Sequence, residues 1–141
     1  MPIKGSIVII EDDLDDQEIL REIFHDLKVA NPLKFFATCA GALDYLITTK
    51  DQPFLIVSDV NLPVMTGIEM RKKINDNEYL RKKSIPFVFL STSANQQSVE
   101  IAYEMMVQGY FEKPSSMKEL KDVVQMIVHY WQICRHPNSG N

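Results

Sequence analysis

The sequence predicts an open α/β fold: a doubly wound five-stranded parallel sheet with helices on both faces. Three observations lead there. Short runs recur that are apolar at nearly every position, as strands buried on both faces must be. Each run is followed by a stretch whose apolar residues fall at helical spacing. The runs stop on polar groups, namely Glu11-Asp12-Asp13, Asp59, Ser91-Thr92-Ser93 and Lys113.

The elements follow in order. Ser6-Ile7-Val8-Ile9-Ile10 is a strand that stops at the acids. From Leu14 the period changes, with Ile19, Leu20, Ile23, Phe24 and Leu27 on one helical stripe after an acidic first turn. Asn31-Pro32 ends that helix. Lys34 to Thr38 reads as a strand, and Leu43, Leu46 and Ile47 mark a short helix. Phe54 to Ser58 is a fully apolar strand closing on Asp59, followed by the Pro/Gly loop of residues 62–67. A charged helix runs from about Ile68 to near Asn77. Pro86 to Leu90 is the next strand, and Val99, Ala102, Tyr103 and Met106 mark the fourth helix. Tyr110-Phe111-Glu112 is a short last strand before Lys113-Pro114. Ser116 opens the fifth helix, with Glu119 three residues on as a capping box. Alternation of this kind implies right-handed crossovers, and ligands then sit outside the C-terminal strand ends.

Composition limits the function classes. The 141 residues, 45% of them hydrophobic, suit a single domain over residues 1–141, with its core at about 6–134 and a flexible polar tail at 135–141. A net charge of −4 argues against nucleic acid as a partner. The basic runs Arg71-Lys72-Lys73 and Arg81-Lys82-Lys83 read as solvated helix faces. Cys39 and Cys134 are too far apart and too few for a disulfide framework or a zinc site, and read as reduced structural residues. No signal peptide is visible, and no apolar run nears the ~18 residues of a membrane span. A soluble cytoplasmic protein is expected. His25, His129 and His136 are scattered and read as surface or partly buried residues, not ligands.

The polar strand ends carry the chemistry. Glu11 and Asp12 from one strand end and Asp59 from another would converge on one edge, together with Ser91 and Lys113. Carboxylates so crowded repel one another. Mg²⁺ relieves this, because it takes oxygen ligands, commonly one or two carboxylates plus a phosphate oxygen. Lysine has no acceptor and cannot bind a metal, but it can pair with a carboxylate or with a phosphoryl group attached to one. Taken singly, each residue has a plainer reading. Asp12, Asp13 or Asp15 can cap the next helix, and Lys113 can be a surface residue. Jointly they describe a pocket for a tetrahedral anion beside a metal.

These motifs resemble the response-regulator receiver family. The resemblance runs from about Ser6 to Val128. It rests on Ile10-Glu11-Asp12-Asp13; Asp59 with Asn61, Leu62-Pro63 and Thr66-Gly67; Phe89-Leu90-Ser91-Thr92; and Gly109-Tyr110 leading to Lys113-Pro114. It implies a flavodoxin-like sheet of strand order 2-1-3-4-5, for which a receiver serves as a standard example. It implies that Asp59 is the phosphoacceptor in a two-component phosphorelay. Asp12 is then a direct Mg²⁺ ligand, Glu11 acts on the metal through water, and Asn61 offers its backbone carbonyl. Ser91 is the hydroxyl that meets the phosphoryl group, Lys113 the lysine of the pattern, and Tyr110 the switch aromatic. Asp13 is assigned to helix capping. The Glu-Asp-Asp-x-Asp-Asp opening and Trp131 resemble single-domain regulators that serve cyanobacterial phytochrome kinases.

The same resemblance implies a sensor histidine kinase or phosphotransfer protein as donor and a downstream protein as target, with no enzymatic class of its own beyond slow self-dephosphorylation. Asn61 and Ser93 lie where they would tune the phosphoryl lifetime. Only a short tail follows the fifth helix, so the signal is expected to leave by protein contact. On that helix Leu120, Val124, Ile127 and Trp131 form a core stripe, and Val123, Met126 and Tyr130 a second one. The second stripe, with Val99 and Tyr103, is either a partner or homodimer face across the fourth helix, fifth strand and fifth helix, or a wide core face under the tail. Two other functions compete. A phosphorylation-independent scaffold of this fold would usually lack an acid or the lysine, and all are present. An aspartate-nucleophile phosphatase of the haloacid dehalogenase type would want an acid where Asn61 stands. A nucleotide or flavin site is disfavoured, since no Gly-rich loop follows the first strand.

Overall fold

A computed structural model describes residues 4–137. The elements are β1 (Ile7–Ile10), α1 (Leu14–Asp26), β2 (Leu33–Phe36), α2 (Cys39–Thr48), β3 (Leu55–Ser58), α3 (Gly67–Asp76), α4 (Glu78–Lys83), β4 (Phe87–Ser91), α5 (Gln96–Glu104), β5 (Gly109–Glu112) and α6 (Met117–Ile133). All strand pairs are parallel, in the order β2-β1-β3-β4-β5. The order reverses between β1 and β3, and that is where a doubly wound sheet opens a crevice.

Alternation along the strands builds two cores. Val8, Ile10, Ile56, Phe87 and Phe89 face one side and meet α2, α3, α4 and α5 through Leu46, Met70, Leu80 and Ala102. Ile7, Ile9, Leu55, Val57, Val88 and Leu90 face the other side and meet α1 and α6 through Leu20, Phe24, Val124 and Ile127. β1, β3 and β4 are buried along their whole length, which explains their continuous apolar sequence. Among the described residues no helix is long and apolar enough to cross a membrane.

The structure departs from expectation in several places. There are six helices among the described residues, not five, because α4 splits off after α3. Asn77 closes α3 and its side chain accepts the Leu80 N–H at 3.0 Å, so one residue stops a helix and caps the next. The fourth and fifth helices of the sequence reading are therefore α5 and α6. The reciprocal capping box forms at Thr66 and Glu69. At Ser116 only the Glu119 N–H bond is made, at 3.0 Å.

Arg71 is not on a solvated face. It is 7% exposed and donates to the Met105 and Met106 carbonyls at 3.1 and 2.8 Å, with its guanidinium 5.1 Å above the Phe87 ring. Asn75 adds a bond to Met105 at 2.9 Å, so α3 ties down the C-terminal end of α5. The tail is docked at its start. His136 is buried, stacks on Phe54 and donates from Nε2 to the Phe54 carbonyl. The rest of the tail expected to be flexible, residues 138–141, lies outside the described residues. Both cysteines are free.

Candidate phosphoacceptor and metal site

Four strand ends deliver the site. β1 ends beside Glu11 and Asp12, β3 beside Asp59, β4 on Ser91, and β5 just before Lys113. Backbone bonds fix their mutual height. Glu11 N–H donates to Phe36 at 2.9 Å, Asp59 N–H to Ile10 at 3.0 Å, and Lys113 N–H to Ser91 at 2.8 Å. One carboxylate oxygen each from Glu11, Asp12 and Asp59 lies within 4.8 Å of the others. The set is oxygen-only and anionic, which fits a hard divalent cation such as Mg²⁺ or Mn²⁺.

Glu11 is the buried member, 3% exposed. Its Oε2 accepts the Asp13 N–H at 3.1 Å, and its Oε1 accepts from Lys113 Nζ at 2.8 Å. Burial pushes the Glu11 carboxyl above the usual carboxylate range, although Lys113 and the Asp13 N–H pull it back. Lys113 is held above its ordinary value, because Glu11, Asp59 and Asp16 together outweigh the cost of its burial. Asp12 is exposed at the mouth. Asp59 is half-buried, and its Oδ1 accepts the Val60 N–H at 2.7 Å. Oδ2 has no hydrogen bond among the described residues.

Asp13 caps α1, accepting the Asp15 and Asp16 N–H groups at 2.9 and 3.0 Å. Asn61 is exposed in the loop leaving Asp59. That loop turns back through Gly67, whose N–H donates to Val60 at 2.9 Å. A Cβ on Gly67 would come within 2.3 Å of the Asp59 carbonyl, so only glycine lets α3 start there.

Ser91 is fully buried, and its Oγ accepts the Ser93 N–H at 3.2 Å. Tyr110 is half-buried, packs 5.7 Å from Phe89, and donates its hydroxyl hydrogen bond to the Ser93 carbonyl. Burial and the charge of Asp59 raise the Tyr110 phenol, so its proton stays in that bond. The β4–α5 loop is thus pinned from both sides by Ser91 and Tyr110.

Two residues of the site went unread in the sequence. Gln17 is buried, and its Nε2 donates to the Glu11 carbonyl at 2.6 Å. Its spacing to Leu20 and Phe24, three and seven residues on, puts it on the core stripe of α1 and was the available signal. Asp16 Oδ2 stands 3.7 Å from Lys113 Nζ. Nothing local in the sequence announces that contact, since its partner arrives from β5.

The chain belongs to the response regulator receiver domain family, whose model matches residues 7–125. It is a signalling domain of two-component systems. The response regulator Rcp1 of Synechocystis is 30% identical over 130 residues, covering 89% of this chain and 87% of Rcp1. The Mn(2+)-bound form of Rcp1 matches with a TM-score of 0.80 at 29% identity, over 93% of this chain and 96% of that one. The phosphorylated cyanobacterial phytochrome response regulator RcpA matches with a TM-score of 0.86 at 26% identity, over 95% and 99%.

Proposed function

We propose that the whole chain acts as a single receiver that accepts a phosphoryl group on Asp59. The observation that carries this reading is the meeting of three carboxylate oxygens within 4.8 Å beside a lysine 2.8 Å from one of them. With Oδ1 held by Val60, Oδ2 of Asp59 is the nucleophile. It forms a bond to phosphorus as the P–N bond of a phosphohistidine, or the P–O bond of acetyl phosphate, breaks, and the electron pair leaves with the donor. Glu11, Asp12, Asp59 and the Asn61 backbone carbonyl would hold Mg²⁺, Glu11 through water. When bound, Mg²⁺ offsets the charge of the carboxylates and of the transferring oxygens. Lys113 and the Ser91 hydroxyl take the remaining phosphoryl oxygens. The contribution of the protein is position and charge.

Recruiting Ser91 inward breaks its bond with Ser93 N–H and loosens the Tyr110 anchor, so Tyr110 moves and the face of α5, β5 and α6 changes. This is a population shift of a pinned loop. Asn61 and Ser93 flank the path of a hydrolytic water. The donor is a sensor histidine kinase or phosphotransfer protein, the setting is the cytoplasm, and the output is contact with a downstream protein. Rcp1 in a metal-bound form and RcpA in a phosphorylated form support the reading by likeness.

Incubation with Mg²⁺ and acetyl phosphate should label the wild type and leave Asp59→Asn unlabelled. Equal labelling of the two removes the proposal, and no labelling of either favours a phosphorylation-independent scaffold. The exposed Tyr103, Met126 and Tyr130 favour a second role for the α5-β5-α6 face as a homodimer contact. Sedimentation velocity with fluoroberyllate should show a dimer that Met126→Glu abolishes, and a monomer at all concentrations would exclude it.

A further inference from the structure

Lys113 is held by two carboxylates, and only one belongs to the acidic pocket. Its Nζ donates to Glu11 Oε1 at 2.8 Å and stands 3.7 Å from Asp16 Oδ2. Among the described residues these are its ion pairs. Asp59 is near enough to act on the ammonium by its field but does not pair with it. Asp16 sits in the first turn of α1, where the Asp13 cap fixes its backbone. Its side chain is 43% exposed, against 10% for Lys113 and 4% for Glu11, so Asp16 forms the solvent side of the cage around the ammonium.

We propose that Asp16 is a positioning residue for Lys113, keeping the ammonium beside the pocket and off Asp59 when Glu11 turns from the lysine to a divalent cation. This rests on the reading of the pocket given above and names a residue that reading does not use. Glu11 Oε2 accepts the Asp13 N–H and Oε1 accepts from the lysine, so a turn of this carboxylate toward a cation or its water weakens the hold on Lys113. A lysine that loses Glu11 turns to the nearest remaining carboxylate. Without Asp16 that is Asp59, whose field already acts on the ammonium and whose Oδ2 is the attacking atom. Asp16 offers a competing carboxylate already at ion-pair distance, near a helix N-terminus that favours negative charge. Being half-exposed, the pair is weak, so the lysine leaves it readily for incoming phosphoryl oxygens.

The test compares wild type with Asp16→Asn, Asp16→Glu and Asp15→Asn. Asp15 removes the same charge from the same helical turn but makes no ion pair among the described residues. Mg²⁺ affinity is read by calorimetric titration, and acceptance by the initial rate of labelling from acetyl phosphate at saturating Mg²⁺. Asp16→Asn should weaken Mg²⁺ about fivefold and slow labelling about fivefold, Asp15→Asn should change either by less than about twofold, and Asp16→Glu should restore both to within about twofold. Unchanged Mg²⁺ affinity in Asp16→Asn overturns the proposal. So does an equal loss in Asp15→Asn, since charge alone would then explain it. A wild type that neither binds Mg²⁺ nor takes label defeats the parent reading instead, which separates the two failures.

Discussion

Cys39 lies a few residues past the end of β2, with 1% exposure and its thiol donating to the Thr66 carbonyl at 3.6 Å. Burial, and behind it the charge of Glu69, pushes the thiol up to about 11 from an ordinary 9.0. A raised value means that the folded state resists the thiolate. The resulting stability is complete below pH 9 and is lost as pH climbs through the folded value. Two units correspond to about 2–3 kcal/mol. Urea unfolding between pH 8 and pH 11.5 should therefore fall more steeply for the wild type than for Cys39→Ala, the difference approaching that figure. Parallel curves would show that the thiol does not titrate against the fold. The same burial should leave Cys39 unmodified by alkylating reagents at pH 8 while the half-buried Cys134 reacts. Residues of this kind divide by legibility. Asp59, Asp12, Glu11 and Lys113 were readable because each interrupts or ends an apolar run. Gln17 is legible only through its place on the core stripe of α1, and Asp16 is not legible at all, since its partner arrives from β5.

The clamp between α3 and α5 shows the limit at the next scale up. Arg71 sits in a basic run that reads as solvated, yet its guanidinium caps the carbonyl end of α5, where Met106 takes a left-handed φ of 62°. A helix C-terminus leaves carbonyls without partners, and a buried arginine fork satisfies two of them at once. Arg71→Ala should cost about 1–3 kcal/mol, because the Met106 carbonyl loses its guanidinium donor, Met105 is left with Asn75, and a void opens beside Phe87. Arg71→Lys should cost less, as an ammonium still reaches one carbonyl. A loss below about 0.5 kcal/mol for the alanine variant would mean that water replaces the arginine freely. The strands were legible because burial on both faces leaves an unbroken apolar signature. The edge strand β2, half-buried, was misplaced by one or two residues at each end. α4 was missed because its six residues carry one buried side chain, Leu80, too few to show a period.

At the scale of the whole molecule, folding brings together carboxylates that an extended chain would hold far apart. Glu11 is pushed up mainly by burial, and the field of Asp59 adds to it. Without a cation, these crowded carboxylates are a cost carried by the fold and offset only in part by Lys113. Removing one member should relieve it. Asp12→Asn should make the metal-free protein slightly more stable, by at most about 0.5 kcal/mol, since Asp12 is exposed and screened. A cation that binds the folded pocket and not the unfolded chain acts in the opposite sense on the wild type. At free Mg²⁺ a hundredfold above its dissociation constant, mass action adds about 2.7 kcal/mol. Urea unfolding in EDTA and in Mg²⁺ should then give a crossing. The variant is the more stable of the two in EDTA, and the wild type is the more stable in Mg²⁺. If Mg²⁺ stabilised both equally, the cation would be acting elsewhere on the surface. If Asp12→Asn were the weaker protein in EDTA as well, the acid would serve the fold as a cap or hydrogen-bond acceptor, and the link between crowded charge and cation binding would be broken.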